Sequence, residues 1–284
     1  MSELQGKVGI VTGASSGIGF QIANVMAEAG ATVYAISRTG APKEGVGISS
    51  EGVIHVKGDI GDTAAMEALL KEITEKNNGC LDFLVNNAGA TFKCRAEEFP
   101  MDKFDHVMNV NVKYVFEMSK LCFPYLKKSE GRGRIVNITS MSAHLGFSEV
   151  VPYCTSKGAV LAMTRGLAVE WAGDNICVNS IAPGWFKSKM LDQVADPARE
   201  QKILGRMPFH AYGDTRDLGA MARFLCGPDA SYITGQDFAV DGGALAFGTR
   251  LPCPVFLSKE SECYPGARPS LRPPHLDLFL TALP

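Results

Sequence analysis

The chain has 284 residues, 46% hydrophobic and 20% charged, enough for one large α/β domain or two small ones with a full buried core. Lys and Arg number 28 against 30 Asp and Glu, a formal net charge of −2. There is no basic surplus to mark a nucleic-acid binder, and no apolar run approaches the ~20 residues of a membrane span. Thirty glycines and fifteen prolines are near normal usage, which excludes collagen-like and wholly disordered chains. The first residues, Met1 to Lys7, lack the apolar segment of a signal peptide. The eight cysteines show no CxxC pair, so they are expected to be reduced core thiols in a cytoplasmic protein, with no metal site.

Short β-branched runs alternate with longer amphipathic stretches from Lys7 to about Val240. Strands are expected at Val8–Val11, Thr32–Ile36, Val53–Val56, Leu81–Val85, Arg134–Ile138, Ile176–Ile181 and Phe238–Val240. Helices are expected over Phe20–Ala29, Thr63–Lys76, Phe104–Tyr125 and Ser156–Trp171. Near-continuous apolar strands separated by helices imply a parallel sheet covered on both faces. Right-handed crossovers make it a Rossmann-type, doubly wound α/β sheet of about seven strands in a single domain over residues 1–250, with ligands beyond the carboxyl ends of the strands. Leu251–Pro284 breaks the pattern: its 34 residues hold seven of the fifteen prolines. It reads as a poorly ordered Pro-rich extension.

Thr12-Gly13-Ala14-Ser15-Ser16-Gly17-Ile18-Gly19 joins the first strand to the first helix. Residues without Cβ at 13, 17 and 19 allow a tight turn and close approach of a pyrophosphate. The helix N-terminus beyond them offers unpaired N–H groups. Strand, glycine loop and helix in that order point to a dinucleotide.

With Asp59, Asn86-Asn87-Ala88-Gly89, Asn111, Ser140, Tyr153-x-x-x-Lys157, Pro183-Gly184, Gly235-Gln236 and Asp241-Gly242-Gly243, that loop makes residues 4 to about 247 resemble the short-chain dehydrogenase/reductase family. The resemblance implies NAD(H) or NADP(H), no metal in the chemistry, and a homodimer or homotetramer. It also implies that Asp59 and Ile60 flank the adenine, that Asn87, Ala88 and Gly89 line the adenosine side, and that Pro183, Gly184 and Phe186 line the nicotinamide. Ser188 stands near the position where relatives hold the cofactor's phosphates. The second strand ends in Ser37 and Arg38, without the carboxylate that would select NAD. Arg38 offers a planar fork to a 2′-phosphate, so NADP(H) is favoured over NAD(H).

Tyr153 and Lys157, four residues apart, share one helix face. A tyrosine at its ordinary pKa of ~10 is too weak a base at neutral pH, and a neighbouring ammonium favours the phenolate. Ser140, at the end of the fifth strand, can hold a substrate oxygen, with Thr139 and Ser142 as competing hydroxyls. Asn111 interrupts a helical stretch that asparagine disfavours, and Asn109 competes with it. By resemblance Asn111, Ser140, Tyr153 and Lys157 are the catalytic residues, and Asn111 lies at a kink.

Loops after Gly89, Ser140 and Gly184 offer Lys93, His144 and Trp185 to the substrate, and Met190–Tyr212 is expected to form a lid. The expected function is hydride transfer between a secondary alcohol and a ketone on a small polyol, ketose or sugar acid. The alternatives are a 3-oxoacyl thioester reductase, with Lys127, Lys128, Arg132 and Arg134 as a basic patch for an acyl carrier protein, and a non-catalytic nucleotide sensor.

Overall fold

The computed structural model describes residues 3–187 and 197–247. Seven strands form one parallel sheet: β1 (Val8–Thr12), β2 (Thr32–Ser37), β3 (Val53–Lys57), β4 (Phe83–Asn86), β5 (Gly133–Ile138), β6 (Ile176–Pro183) and β7 (Asp237–Val240). Their order is β3-β2-β1-β4-β5-β6-β7, and every pairing is parallel. The order reverses direction between β1 and β4, so a crevice opens beyond their carboxyl ends. The expected fold and strand set are those observed.

Neighbouring residues of each central strand face opposite sides, because side chains alternate along a strand. Val85, Val136 and Ile181 pack with Ile22, Met26, Leu218 and Leu225, which come from α1 (Gly17–Glu28) and from the helix Thr215–Cys226. Leu84, Ile135 and Val178 face the other way, toward Met66, Leu70, Met118, Leu126, Leu167 and Trp171. These belong to α2 (Thr63–Glu75), α4 (Tyr114–Leu126) and α5 (Val151–Glu170), with Trp171 the residue that follows α5. An eight-residue helix, α3 (Met101–Met108), precedes α4. Two more helices follow among the described residues, α6 (Pro197–Arg206) and α7 (Thr215–Cys226).

Three helix boundaries differ from expectation. The stretch expected as one helix over Phe104–Tyr125 is α3 and α4 joined by a π-helical turn, Asn109–Lys113. There the Asn111 side chain bonds a neighbouring loop, and π-turns of this kind cluster at functional sites. Helix α5 begins at Val151 instead of Ser156, because Pro152 occupies its first turn, where proline's missing N–H costs nothing. Helix α1 starts inside the glycine loop, at Gly17.

Ser188, the first part of the expected lid and Leu251–Pro284 lie outside the described residues. The described part of the lid includes α6, with Ile203 and Met207 packed against Trp185 and Tyr212.

Candidate active site

The glycine loop leaves β1 with Gly13 at φ +67° and Gly17 at φ +59°, a region that side chains strain to enter. A Cβ on Gly13 would lie 2.8 Å from the Ala88 Cα, and one on Gly19 would lie 2.3 Å from Asn87 Nδ2. The loop is therefore pressed against the turn after β4. Asn87 Nδ2 donates to the carbonyls of Thr12 (2.9 Å) and Gly13 (3.2 Å). The Thr12 hydroxyl accepts from the backbone N–H groups of Asn87 and Ala88, both at 3.1 Å. Ser16 caps α1 without a side-chain hydrogen bond, which leaves the first helical N–H groups for an anion. Ser15 is buried and its carbonyl accepts from Lys43 N–H. Ile18 packs into the core, so the loop presents backbone to the crevice.

Beside this loop, Ser37 is buried at the end of β2, with its hydroxyl engaged by Thr39 and the Gly40 N–H. Arg38 is exposed. Asp59 is exposed and accepts from the Gly61 N–H at 2.9 Å, while Ile60 packs on the α2 side of the core. The residues expected to hold the adenosine thus lie at and just beyond the carboxyl ends of β2 and β3.

Apart from these lie the residues expected to act on substrate. Lys157 is buried, and its Nζ donates to the Ile138 carbonyl at 2.7 Å. Burial pushes its pKa down to about 8. The ammonium sits 5.6 Å from the centre of the Tyr153 ring. Tyr153 is half-buried; burial pushes its hydroxyl up to about 12, and a side-chain hydrogen bond with Ser140 works against that rise. Ser140 Oγ in turn accepts from the Ser142 N–H at 3.1 Å, which holds the hydroxyl in place. Its competitors are placed differently: Thr139 bonds the Ile181 carbonyl and Asp237, and the buried Ser142 hydroxyl meets no partner among the described residues.

Asn111 is fully buried. Its Oδ1 accepts from the Ala90 N–H at 2.7 Å, and its Nδ2 donates to the Ala90 carbonyl and to Ser156 Oγ, both at 2.9 Å. Ser156 donates to the Tyr153 carbonyl at 2.7 Å. Asn111 therefore ties the loop after β4 to the helix carrying Tyr153 and Lys157. Asn109, its competitor, is exposed. Gly89 sits between the two groups: its Cβ would be 3.4 Å from Asn111 Oδ1 and 3.8 Å from Lys157 Nζ. Ser156 and Ala90 were not singled out in the sequence. A serine inside a helix was the one available signal, and it is a weak one.

Pro183 ends β6, and Gly184 passes so close to β7 that a Cβ would be 2.5 Å from the Asp241 Cα. Phe186 is buried and Trp185 meets the Phe147 ring edge-on at 5.5 Å. A cavity of about 370 Å³ is bordered by Trp185, Phe186, Phe209, Tyr212 and Asp241. Lys93 pairs with Glu149 at 3.6 Å, and the Glu149 backbone is left-handed, with φ +66°. His144 Nε2 meets Asp237 Oδ2 of β7 at 2.7 Å.

The basic patch expected at the pocket mouth does not form. Arg134 is buried and donates to the Ala230 and Gly227 carbonyls, both at 3.1 Å, and Lys127 pairs with Asp174. Arg132 and Arg134 precede or begin β5 and Lys127 and Lys128 follow α4. In a parallel sheet that is the end opposite the crevice.

The six cysteines among the described residues are free thiols. Burial pushes Cys122 and Cys226 up to about 12. Among the described residues no three His, Cys, Asp or Glu side chains come together as a metal site, and no helix is long and apolar enough to cross a membrane.

A family model described as enoyl-(acyl carrier protein) reductase matches residues 13–244. A 2-dehydro-3-deoxy-D-gluconate 5-dehydrogenase of Dickeya dadantii is 39% identical over 248 residues, covering 86% of this chain and 97% of that protein. A 3-oxoacyl-[acyl-carrier-protein] reductase of Thermotoga maritima is 35% identical, covering 84% of this chain and 98% of its own length. Among solved structures, a gluconate 5-dehydrogenase from Burkholderia cenocepacia, in complex with NADP and tartrate, superposes with a TM-score of 0.77. It is 29% identical and covers 86% of this chain and 97% of its own. The chain belongs to the short-chain dehydrogenase/reductase family. It is an NAD(P)-dependent oxidoreductase that interconverts a secondary alcohol and a ketone.

Proposed function

We propose that the protein is an NADP(H)-preferring dehydrogenase of a sugar acid, with Tyr153 as the proton donor and acceptor. The observation that carries this reading is the Ser140–Tyr153–Lys157 arrangement: a serine hydroxyl held by the Ser142 N–H, and a phenol whose ring centre lies 5.6 Å from a buried ammonium. The glycine loop fits a dinucleotide, since Gly13 and Gly19 leave a cradle that any Cβ would fill. Gly13, Ser15, Ser16, Gly17, Ile18 and Gly19 would hold the pyrophosphate. Ser37, Arg38, Asp59 and Ile60 would hold the adenosine, with Asn87, Ala88 and Gly89 beside it. Pro183, Gly184 and Phe186 would hold the nicotinamide side, and Ser188 the phosphates. When bound, the nicotinamide supplies or accepts the hydride at the carbinol carbon.

The chain's own residues manage the proton. Ser140 holds the substrate oxygen beside Tyr153. In ketone reduction Tyr153, protonated at neutral pH, gives its proton to that oxygen; in oxidation it takes the proton back. Lys157 favours the phenolate that reduction leaves behind, and Asn111 keeps the Lys157 helix and the Gly89 loop in register.

NADP(H) is preferred because exposed Arg38 stands where a 2′-phosphate selects a guanidinium. The sugar-acid substrate rests on the dehydrogenases of Dickeya dadantii and Bacillus subtilis, at 39% and 37% identity. The 3-oxoacyl alternative keeps the same chemistry, but the basic residues that would meet a carrier protein lie at the wrong end of the sheet. Exposed Phe116 on α4 and Val151 and Val169 on α5 favour a homodimer or homotetramer.

The test is the loss of reduced-nicotinamide absorbance with NADPH and NADH, offered separately against keto-sugar acids, ketoses and 3-oxoacyl thioesters. Turnover of a keto-sugar acid with NADPH, absent in Tyr153→Phe, is the expected result. Turnover confined to thioesters refutes the substrate, and a clear NADH preference refutes the role of Arg38. Light scattering that returns a monomer refutes the oligomer.

A further inference from the structure

The turn that presents Ser140 is held from behind by a single buried carboxylate. Ser140 caps a 3-10 turn, Met141–Ala143, and His144 closes it. His144 Nε2 lies 2.7 Å from Asp237 Oδ2, on the edge strand β7. The Asp237 side chain is only 6% exposed. Its other oxygen, Oδ1, accepts from Thr139 Oγ1 at 2.8 Å and Ser180 Oγ at 2.5 Å. Thr139 directly precedes Ser140, and its N–H donates to the Ile181 carbonyl at 2.8 Å. The residue before Ser140 and the residue after its turn thus both end on Asp237.

A buried carboxylate is costly unless hydrogen-bonded on its available sides. Asp237 meets that condition with His144, Ser180 and a Thr139 hydroxyl proton shared with the Ile181 carbonyl, two of the three groups coming from the segment around Ser140. Aspartate is also disfavoured in strands, and the β7 ladder makes no use of its carboxylate. His144 itself is one-third exposed, so its bond to Asp237 is not forced by enclosure.

We propose that Asp237 and His144 are positioning residues for the reaction: by gripping both ends of the 139–144 segment they fix Ser140 Oγ against Tyr153. The proposal rests on the assignment of Ser140 as the group that holds the substrate oxygen. Neither residue touches substrate. Their effect passes through the placement of one hydroxyl, and hydroxyl donors to a reacting oxygen lose effect when shifted by a fraction of an ångström.

The experiment compares Asp237→Ala, His144→Ala, His144→Gln and the double alanine variant. It measures kcat and KM with a ketone that the native enzyme reduces, and amide hydrogen exchange over residues 139–146. Each single alanine variant is expected to lower kcat about tenfold with KM within about twofold, a fraction of the loss seen when an oxyanion donor is removed outright. The double variant is expected to be no slower than Asp237→Ala alone, because His144 acts through Asp237. His144→Gln, which keeps an N–H donor, is expected to recover most of kcat, and exchange is expected to quicken in the alanine variants alone.

A raised KM with unchanged kcat in His144→Ala, without any effect of Asp237→Ala, makes His144 a substrate contact and overturns the proposal. Unchanged kcat in both variants overturns it too. If Asp237→Ala does not fold, the two His144 variants decide on their own. If the native protein reduces none of the ketones, the functional reading fails. Exchange still judges the grip, and native-like exchange in both alanine variants refutes it.

Discussion

Substituting Gly19 by alanine tests whether the glycine loop is built for close approach. Alanine in a helix is ordinarily favoured over glycine by up to ~1 kcal/mol. Here the new Cβ would lie 2.3 Å from Asn87 Nδ2 and 2.7 Å from the Gly13 carbonyl, so Asn87 must retreat. Its two bonds, to the Thr12 and Gly13 carbonyls, are then lost or stretched. Each is worth ~0.5–1.5 kcal/mol, with a further cost for any carbonyl left without a donor. The clash outweighs the propensity gain, for a net destabilisation of about 1–2 kcal/mol. In a domain of this size that lowers Tm by about 3–6 °C. Dinucleotide affinity is expected to fall about tenfold or more, since the displaced Gly13 carbonyl and Asn87 border the loop. Thermal unfolding and titration of reduced-nicotinamide fluorescence measure both. A variant as stable as the native chain, binding within twofold, would refute the reasoning from contact distances.

Tyr153→Phe is expected to cut kcat by about 10²–10⁴ while cofactor binding, followed by fluorescence, stays within twofold. With Lys157 held down to about 8 and Tyr153 up to about 12, kcat/KM for ketone reduction is expected to fall as pH rises through about 8, where the ammonium loses its charge. A profile flat to pH 10 would contradict it. The same depressed pKa sets a stability window: between about 8 and 10.5 the unfolded chain holds a Lys157 proton that the folded chain has released. The burial penalty is therefore fully present below pH 8 and is relieved above it, so denaturant stability gains a rising contribution across that window. Arg38→Ala is expected to weaken NADPH binding by about 1.5–3 kcal/mol and leave NADH nearly unchanged, which paired titrations resolve. Arg134→Met strips the Gly227 and Ala230 carbonyls of buried donors and is expected to lower stability by about 2–4 kcal/mol in urea, without changing KM.

Strand periodicity and the glycine loop determined the sheet, its parallel sense and the end at which the site lies, because a two-residue alternation and a Cβ-free turn are local properties of the chain. The Tyr153–Lys157 spacing was equally local, since residues four apart share a helix face wherever the helix runs. Tertiary structure alone decided what lies across the chain. Only folding brings Ala90 and Ser156 to Asn111, 21 and 45 residues away in sequence, and so gives the physical reason for the preference over Asn109 that the resemblance implies. The same holds for His144: the sequence offers it to the substrate, and only folding brings it to Asp237 of β7, 93 residues on. Arg134 likewise read as surface charge until the carbonyls at the end of α7 enclosed it. In each case the side chain chose among partners by hydrogen-bond geometry in a buried space, and that space exists only once the strands have paired.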